Sequence, residues 1–421
     1  MTAGWTWRDG WRYGLLGLPL AFVALPLYVV LPNHYARTLG MPLATLGAVL
    51  LGARLFDALI DPLLGRWSDR LFARSHRAVL AWGALAAAVL GLGFAALFFP
   101  PVPAGAALVL WAGTGLVVTY TAFSALAILH QSWGARLGGD EVQRSRIVAW
   151  REGLGLVGVL LASMVPLALG LPATCALFFI ALALGWLAWR GARRPPPAGA
   201  GWSAGRPPSL WLPWARPDFR ALLAVFMVNG IASALPATLV LFFIQDRLQA
   251  PAHTVPLFLG SYFGCAALSI PLWLRLVPRL GLARTWLLGM ALSIGVFALA
   301  AQLGAGDTLA FGLVCALSGA ALGTDLALPG ALLAGTVQAS GDRGHAEGAY
   351  FGWWNFATKL NLALAAGLAL PALQAWGYVP GAQDTQALQT LTWAYCLLPC
   401  ALKAVAAGLL YTLLIRKRDT P

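Results

Sequence analysis

Twelve apolar runs of about twenty residues follow one another along this chain, and a water-soluble core needs nothing of the kind. To within a few residues they cover 13–32, 41–65, 78–99, 105–130, 147–170, 173–191, 219–244, 254–276, 285–303, 309–334, 347–374 and 391–415. At 1.5 Å of rise per residue, each can cross ~30 Å of hydrocarbon as a helix. None alternates with the period of two that a barrel strand requires, which argues against a β-barrel. A mean hydropathy of +0.75, with 60% hydrophobic and only 10% charged residues, agrees with an all-α integral membrane protein. The first run is too long for a signal h-region and has no convincing small-residue cleavage site, so it is read as retained.

The net charge of +13 could suggest nucleic acid, but the arginines are confined to short loops. Of the 28 basic residues, 22 lie on alternate loops that face one side, and the opposite loops hold only Arg37 and Arg247. By the positive-inside rule both termini are cytoplasmic, in a bacterial-type inner membrane, and an even number of spans agrees. The longest break, 192–218, carries Arg193-Arg194-Pro195-Pro196-Pro197 and reads as a cytoplasmic linker. It separates an N-terminal six-helix bundle, 1–191, from a C-terminal one, 219–421. The halves echo each other. Gly65-Arg66-Trp67-Ser68-Asp69-Arg70 with Arg74 and Arg77 follows the second span, and Arg275, Arg279 and Arg284 follow the eighth. Two such bundles suit a secondary transporter with its solute near the midplane. No Walker motif is present. The five cysteines all lie within apolar runs, so neither a disulfide, a metal nor a cofactor is expected. The expected partners are a small-molecule solute and membrane lipid, with the chain acting as a monomer.

Three charges interrupt the second span: Arg54, Asp57 and Asp61, at i, i+3 and i+7 on one helical face. Each costs at least ~2.5–3.5 kcal/mol at membrane depth. Two carboxylates one turn apart beside a guanidinium point to a cation or proton site; the alternative is an Arg–Asp staple between helices. Asp325, deep in the tenth span, faces a cavity or a partner, either as a substrate or coupling group or in a salt bridge across the halves. Lys403, mid-span in the last helix, reads as a hydrogen bond to a neighbouring carbonyl. Glu152 and Glu347 read as helix N-terminal carboxylates favoured by the dipole. Arg66, Asp69 and Arg70 are a candidate cytoplasmic gate. His130 and Gln131, after the fourth span, read as a polar cap. Tyr350, Trp353, Trp354 and Asn355 are candidates for a solute cavity, as is Asn229; tryptophans also serve as interface anchors.

The motifs come in a characteristic order. Tyr13-Gly14 opens the first span. Arg54-x-x-Asp57-x-x-x-Asp61-Pro62-x-x-Gly65 fills the second, and Thr119-Tyr120-Thr121 lies in the fourth. Arg144, Arg146 and Arg151 open the fifth. Glu347-Gly348 begins the eleventh, which carries Lys359, and Gly377-Tyr378-Val379-Pro380 and Gln386-Ala387-Leu388 follow. In these features the chain resembles the glycoside–pentoside–hexuronide:cation symporters of the major facilitator superfamily, the melibiose-permease-like group. The resemblance implies that Asp57 and Asp61 are cation-binding carboxylates, with Thr121 as a hydroxyl ligand and Lys359 beside them. It implies a substrate role for Arg151. It also exposes departures. Ala21 and Ser124 stand where sugar-gripping acids are expected, Ile128 replaces the stacking aromatic, and Ile60 replaces an asparagine between the two carboxylates. The first two argue against a galactoside, and the last removes an oxygen ligand suited to Na⁺.

Two carboxylates close together in low dielectric cannot both carry charge cheaply, which makes such a pair a natural proton carrier. The leading expectation is a cation-coupled symporter, driven by H⁺ or by Na⁺, that imports a small organic solute such as a sugar or glycoside by alternating access. The alternatives are a lysolipid or amphiphile carrier of the same fold and, more remotely, a metabolite exporter. A membrane enzyme would need a nucleophile or metal constellation, and the five histidines are scattered. A receptor would need an output domain.

Overall fold

The computed structural model describes residues 5–196, 209–379, 381 and 383–419, and among them every regular element is helical. Of the basic linker expected over 192–218, residues 197–208 lie outside the described residues.

The helices are α1 (Trp7–Arg37), α2 (Leu43–Arg74), α3 (His76–Phe98), α4 (Ala106–Leu137), α5 (Glu141–Pro166), α6 (Ala168–Arg190) and α7 (Pro217–Arg247). They continue as α8 (Val255–Ala300), α9 (Thr308–Ala339), α10 (Glu347–Ala375) and α11 (Thr385–Ile415). A short turn of helix, Leu212–Ala215, precedes α7. α8 reverses at Gly281, whose φ of 78° is open to glycine and strained for residues with a Cβ, so it passes twice. Gly170, at φ 77°, marks the matching bend near the start of α6. With α8 counted as two passes, the described helices make twelve.

Lipid solubility decides which face of each helix points where. On α2 the leucines at 51, 55, 59 and 63 are each more than half exposed, whereas Asp57 is 3% and Asp61 0% exposed. An apolar stripe outside and carboxylates inside is the reverse of a soluble helix and is what a lipid solvent selects. α2 has 32 residues, about 48 Å at the α-helical rise, so it outruns the hydrocarbon and carries Arg66–Arg74 beyond it. Ser75 ends α2 in an extended conformation and caps α3, its hydroxyl accepting the Ala78 N–H at 3.0 Å. Asp140 does the same for α5, accepting from Gln143 at 2.8 Å.

The chain divides into two compact units. One is Met1–Ala215 with Val337–Phe356, and the other is Arg216–Thr336 with Ala357–Pro421. The core of the first holds Tyr13, Phe94, Trp133, Phe178 and Trp189; that of the second holds Phe243, Phe258, Phe311 and Tyr395. The segment Val337–Phe356 clusters with the first unit because the α10 N-terminus is bonded to α2. Gly65 and Gly348 allow that approach: a Cβ at either would fall on the other's carbonyl oxygen.

Candidate functional site

Helix α2 supplies Asp57 and Asp61 and α4 supplies the opposing hydroxyls. The Ser124 hydroxyl donates to Asp57 Oδ1 at 2.8 Å, and both side chains are buried. Ser124 therefore lies beside the carboxylate pair. Thr121, one turn earlier on α4, is half-buried and donates to the Val117 carbonyl at 2.7 Å, which leaves its oxygen lone pairs for another ligand. The Arg54 guanidinium rests on the Tyr28 ring, 4.5 Å from its centroid, and Tyr28 and Tyr120 are 6.1 Å apart. Among the described residues Arg54 makes no ion pair with Asp57 or Asp61. A cation on an aromatic face is held there by the ring quadrupole.

A second polar cluster sits beyond the apolar part of α2. Asp69 accepts the backbone N–H groups of Gly348 and Ala349 at 2.7 and 2.8 Å, which are orphan donors at the α10 N-terminus. Arg136, in the last turn of α4, pairs with Asp69 at 2.8 Å and with Glu347 at 3.0 Å, and its guanidinium lies over the Phe72 ring. It also donates to the Gly344 carbonyl. Glu347 is the first residue of α10, as expected, and accepts the Gly344 N–H at 2.5 Å. Of the three gate residues expected, Asp69 is at the centre. Arg66 is half-buried and Arg70 exposed, and neither is among Asp69's partners. The cation is Arg136, 67 residues further on, and its only sequence signal is a charge in a helix's last turn.

The pattern of the MFS/sugar transport protein family, within the major facilitator superfamily, matches residues 12–191 and 212–417 of this chain. The chain belongs to that family. A relative from Escherichia coli (strain K12) named "Putative glycoside/cation symporter YagG" is 25% identical over 166 residues. That match takes in 39% of this chain and 35% of the relative. Among solved structures, a bacterial homologue of the iron transporter ferroportin in an outward-facing state superposes with a TM-score of 0.72 at 15% identity, over 96% of this chain and 98% of that one. The major facilitator superfamily transporter FucP in the outward conformation gives 0.64 at 12% identity, over 94% and 98%. At such identities the two structures establish the twelve-helix transporter fold.

Elsewhere in the transporter several expected residues have other surroundings. Glu152 is not a helix N-terminal carboxylate: α5 starts at Glu141, so Glu152 and Arg151 lie three turns inside it and pair with each other. His130 and Gln131 do not follow the fourth helix, because α4 runs on to Leu137. His130 is fully buried, with Nε2 2.8 Å from the Tyr13 carbonyl, while the Tyr13 hydroxyl donates to the His130 carbonyl at 3.1 Å. Tyr350 is buried and donates to Asp342 at 2.7 Å. Trp353 donates to the Leu210 carbonyl at 2.9 Å and packs against Trp211 and Trp214. Trp354 is buried on the same helix and Asn355 half-buried. Lys359, half-buried, is on the part of α10 that belongs to the second unit.

In that second unit Lys403 does not bond a backbone carbonyl. Its ammonium donates to Asp325 Oδ2 at 2.9 Å, Asn229 Oδ1 at 2.8 Å and Ser233 Oγ at 3.0 Å. Asp325 in turn accepts from Asn229 at 3.0 Å, Ser233 at 3.1 Å and the Trp286 indole at 2.7 Å. Its cationic partner thus comes from its own unit, not from across the halves. Asn229 joins Asp325 as a pair of candidates brought together. Trp286 and Ser233 carried no sequence signal, since a tryptophan next to a basic loop reads as an interface anchor.

Proposed function

We propose that this transporter is a cation-coupled symporter, driven by protons, that imports a small organic solute of the sugar or glycoside class by alternating access. It works in a bacterial-type inner membrane with both termini cytoplasmic. The observation that carries the reading is the buried pair Asp57 and Asp61, one turn apart on α2, with Ser124 donating to the first. The relative's printed name, a glycoside/cation symporter, supports the same class.

Coupling needs a site whose charge changes with loading. A carboxylate pair in low dielectric takes up one proton readily, because the second negative charge is expensive to keep there. The solute-loaded carrier then crosses with the proton bound, and the return step follows its release. Ile60 between the acids withholds an oxygen that Na⁺ coordination would use, which favours H⁺. A second reading, an amphiphile as cargo, is favoured by Ala21 and by the engagement of Ser124 with Asp57, since neither then grips sugar hydroxyls.

Proteoliposomes loaded against an imposed pH or Na⁺ gradient test the proposal, with radiolabelled glycosides and lysophospholipids as probes. A glycoside should accumulate under the pH gradient. Asp57→Asn and Asp61→Asn should each abolish accumulation while leaving downhill exchange. Unchanged accumulation in both variants, or a strict Na⁺ requirement, would overturn proton coupling.

A further inference from the structure

We propose that the second unit carries a binding site of its own, which takes one uncharged, mainly apolar ring compound bearing a hydroxyl group. The site is an open-sided cavity of about 330 Å³ lined by α7, α8, α9 and α11. It does not rest on the coupling reading, because it shares no residue with the Asp57–Asp61 cluster.

The walls set the body of the ligand. Phe258, Tyr262, Phe263, Phe297 and Tyr395 line the cavity, together with Val240, Leu241 and Leu322. Cavities of this size, aromatic and apolar with a few convergent polar groups, are the usual form of small-molecule sites. Flat aromatic rings on several sides suit a flat or ring-shaped partner.

The floor sets the charge of the ligand. Asp325 and Lys403 both line the cavity, and they are already saturated. The three ammonium donors of Lys403 go to Asp325, Asn229 and Ser233. The two oxygens of Asp325 accept from Asn229, Trp286, Ser233 and Lys403. The pair is neutral as a whole and has no spare donor or acceptor. A charged ligand would add an uncompensated charge in a low-dielectric space, so the site selects against anions and cations.

Three hydroxyls ask for a polar group on the ligand. Tyr262, Ser293 and Tyr395 line the same cavity, and among the described residues none of their hydroxyls makes a hydrogen bond. Ser293 is only 5% and Tyr395 4% exposed. These hydroxyl oxygens border the open space of the cavity, and each can both donate and accept. A ligand hydroxyl reaching any of them satisfies a group that the fold leaves open.

The test uses the full chain in lipid nanodiscs, titrated calorimetrically with 2-naphthol, naphthalene, 2-naphthoate and 2-naphthylmethylammonium, with empty nanodiscs subtracted. 2-Naphthol should bind saturably at one site per chain, and roughly tenfold more tightly than either charged analogue or naphthalene. Ala237→Trp fills the cavity and should lose that binding. The milder Ser293→Ala with Tyr395→Phe keeps the walls and should weaken 2-naphthol by roughly three- to tenfold while leaving naphthalene unchanged. Saturable binding that survives Ala237→Trp, a charged analogue that binds as well as 2-naphthol, or no saturable binding would each overturn the proposal.

Discussion

Lys403→Met removes one ammonium from the second unit and leaves a side chain of similar length. In the wild-type protein the Lys403 side chain is 6% and the Asp325 side chain 14% exposed, with 2.9 Å between the charged atoms. The variant strands a mostly buried carboxylate. Asp325 keeps three neutral donors, from Asn229, Ser233 and Trp286, while Asn229 Oδ1 loses its contact with the ammonium. Breaking a buried pair from one side costs about 3–5 kcal/mol. The surviving donors put this case near the lower end. For a domain of this size that is a fall of roughly 6–20 °C in melting temperature. Removing both charges should behave differently. Asp325→Leu combined with Lys403→Met leaves no buried charge and should melt within about 2 kcal/mol equivalent of the wild type, since well-packed apolar replacements of a buried pair are often neutral. The assay is circular dichroism melting in nanodiscs at one scan rate for the wild type, both single variants and the double variant. The reasoning fails if Lys403→Met melts with the wild type, or if the double variant is less stable than either single one.

Three further outcomes follow from the first unit. Arg136→Gln should destabilise by about 3–5 kcal/mol, because it leaves Asp69 and Glu347, both fully buried, without their shared cation; thermal melting and limited proteolysis at the α10 N-terminus read the loss. Gly65→Ala should impair folding or transport, since its Cβ falls on the Gly348 carbonyl. Gly47→Ala, in open space on the same helix, should stabilise by up to about 1 kcal/mol, and equal behaviour of the two would refute the close approach. Under the proposed coupling, Ser124→Ala removes one hydrogen bond to Asp57 and should change the half-saturating concentration of the driving ion by roughly tenfold, measured from initial uptake rates.

Much of the fold was legible because the solvent is lipid. A helix in hydrocarbon must satisfy its own backbone, so length and apolarity alone mark each pass. The carboxylates at Asp57 and Asp61 stood out for the same reason. The errors came where helices outrun the membrane or where partners are remote. The span ending at 65 continues as helix to Arg74 and the fourth runs to Leu137, because polar residues past the hydrocarbon still favour helix. That extension brings Asp69 to Arg136, and it leaves His130 inside the bundle. Arg151 and Glu152 were placed at a helix start by the same error at the other end.

By itself the sequence determined the twelve passes, the confinement of most arginines to alternate loops and the presence of costly charges in the second, tenth and twelfth spans. Only the tertiary structure decided what those charges touch. Asp57 faces Ser124, Asp69 faces Arg136, and Asp325 faces Lys403 across 67, 67 and 78 residues. In a lipid solvent a charge must find a partner, but its identity is fixed by which helix faces pack together, and that information lies in no single segment of the chain.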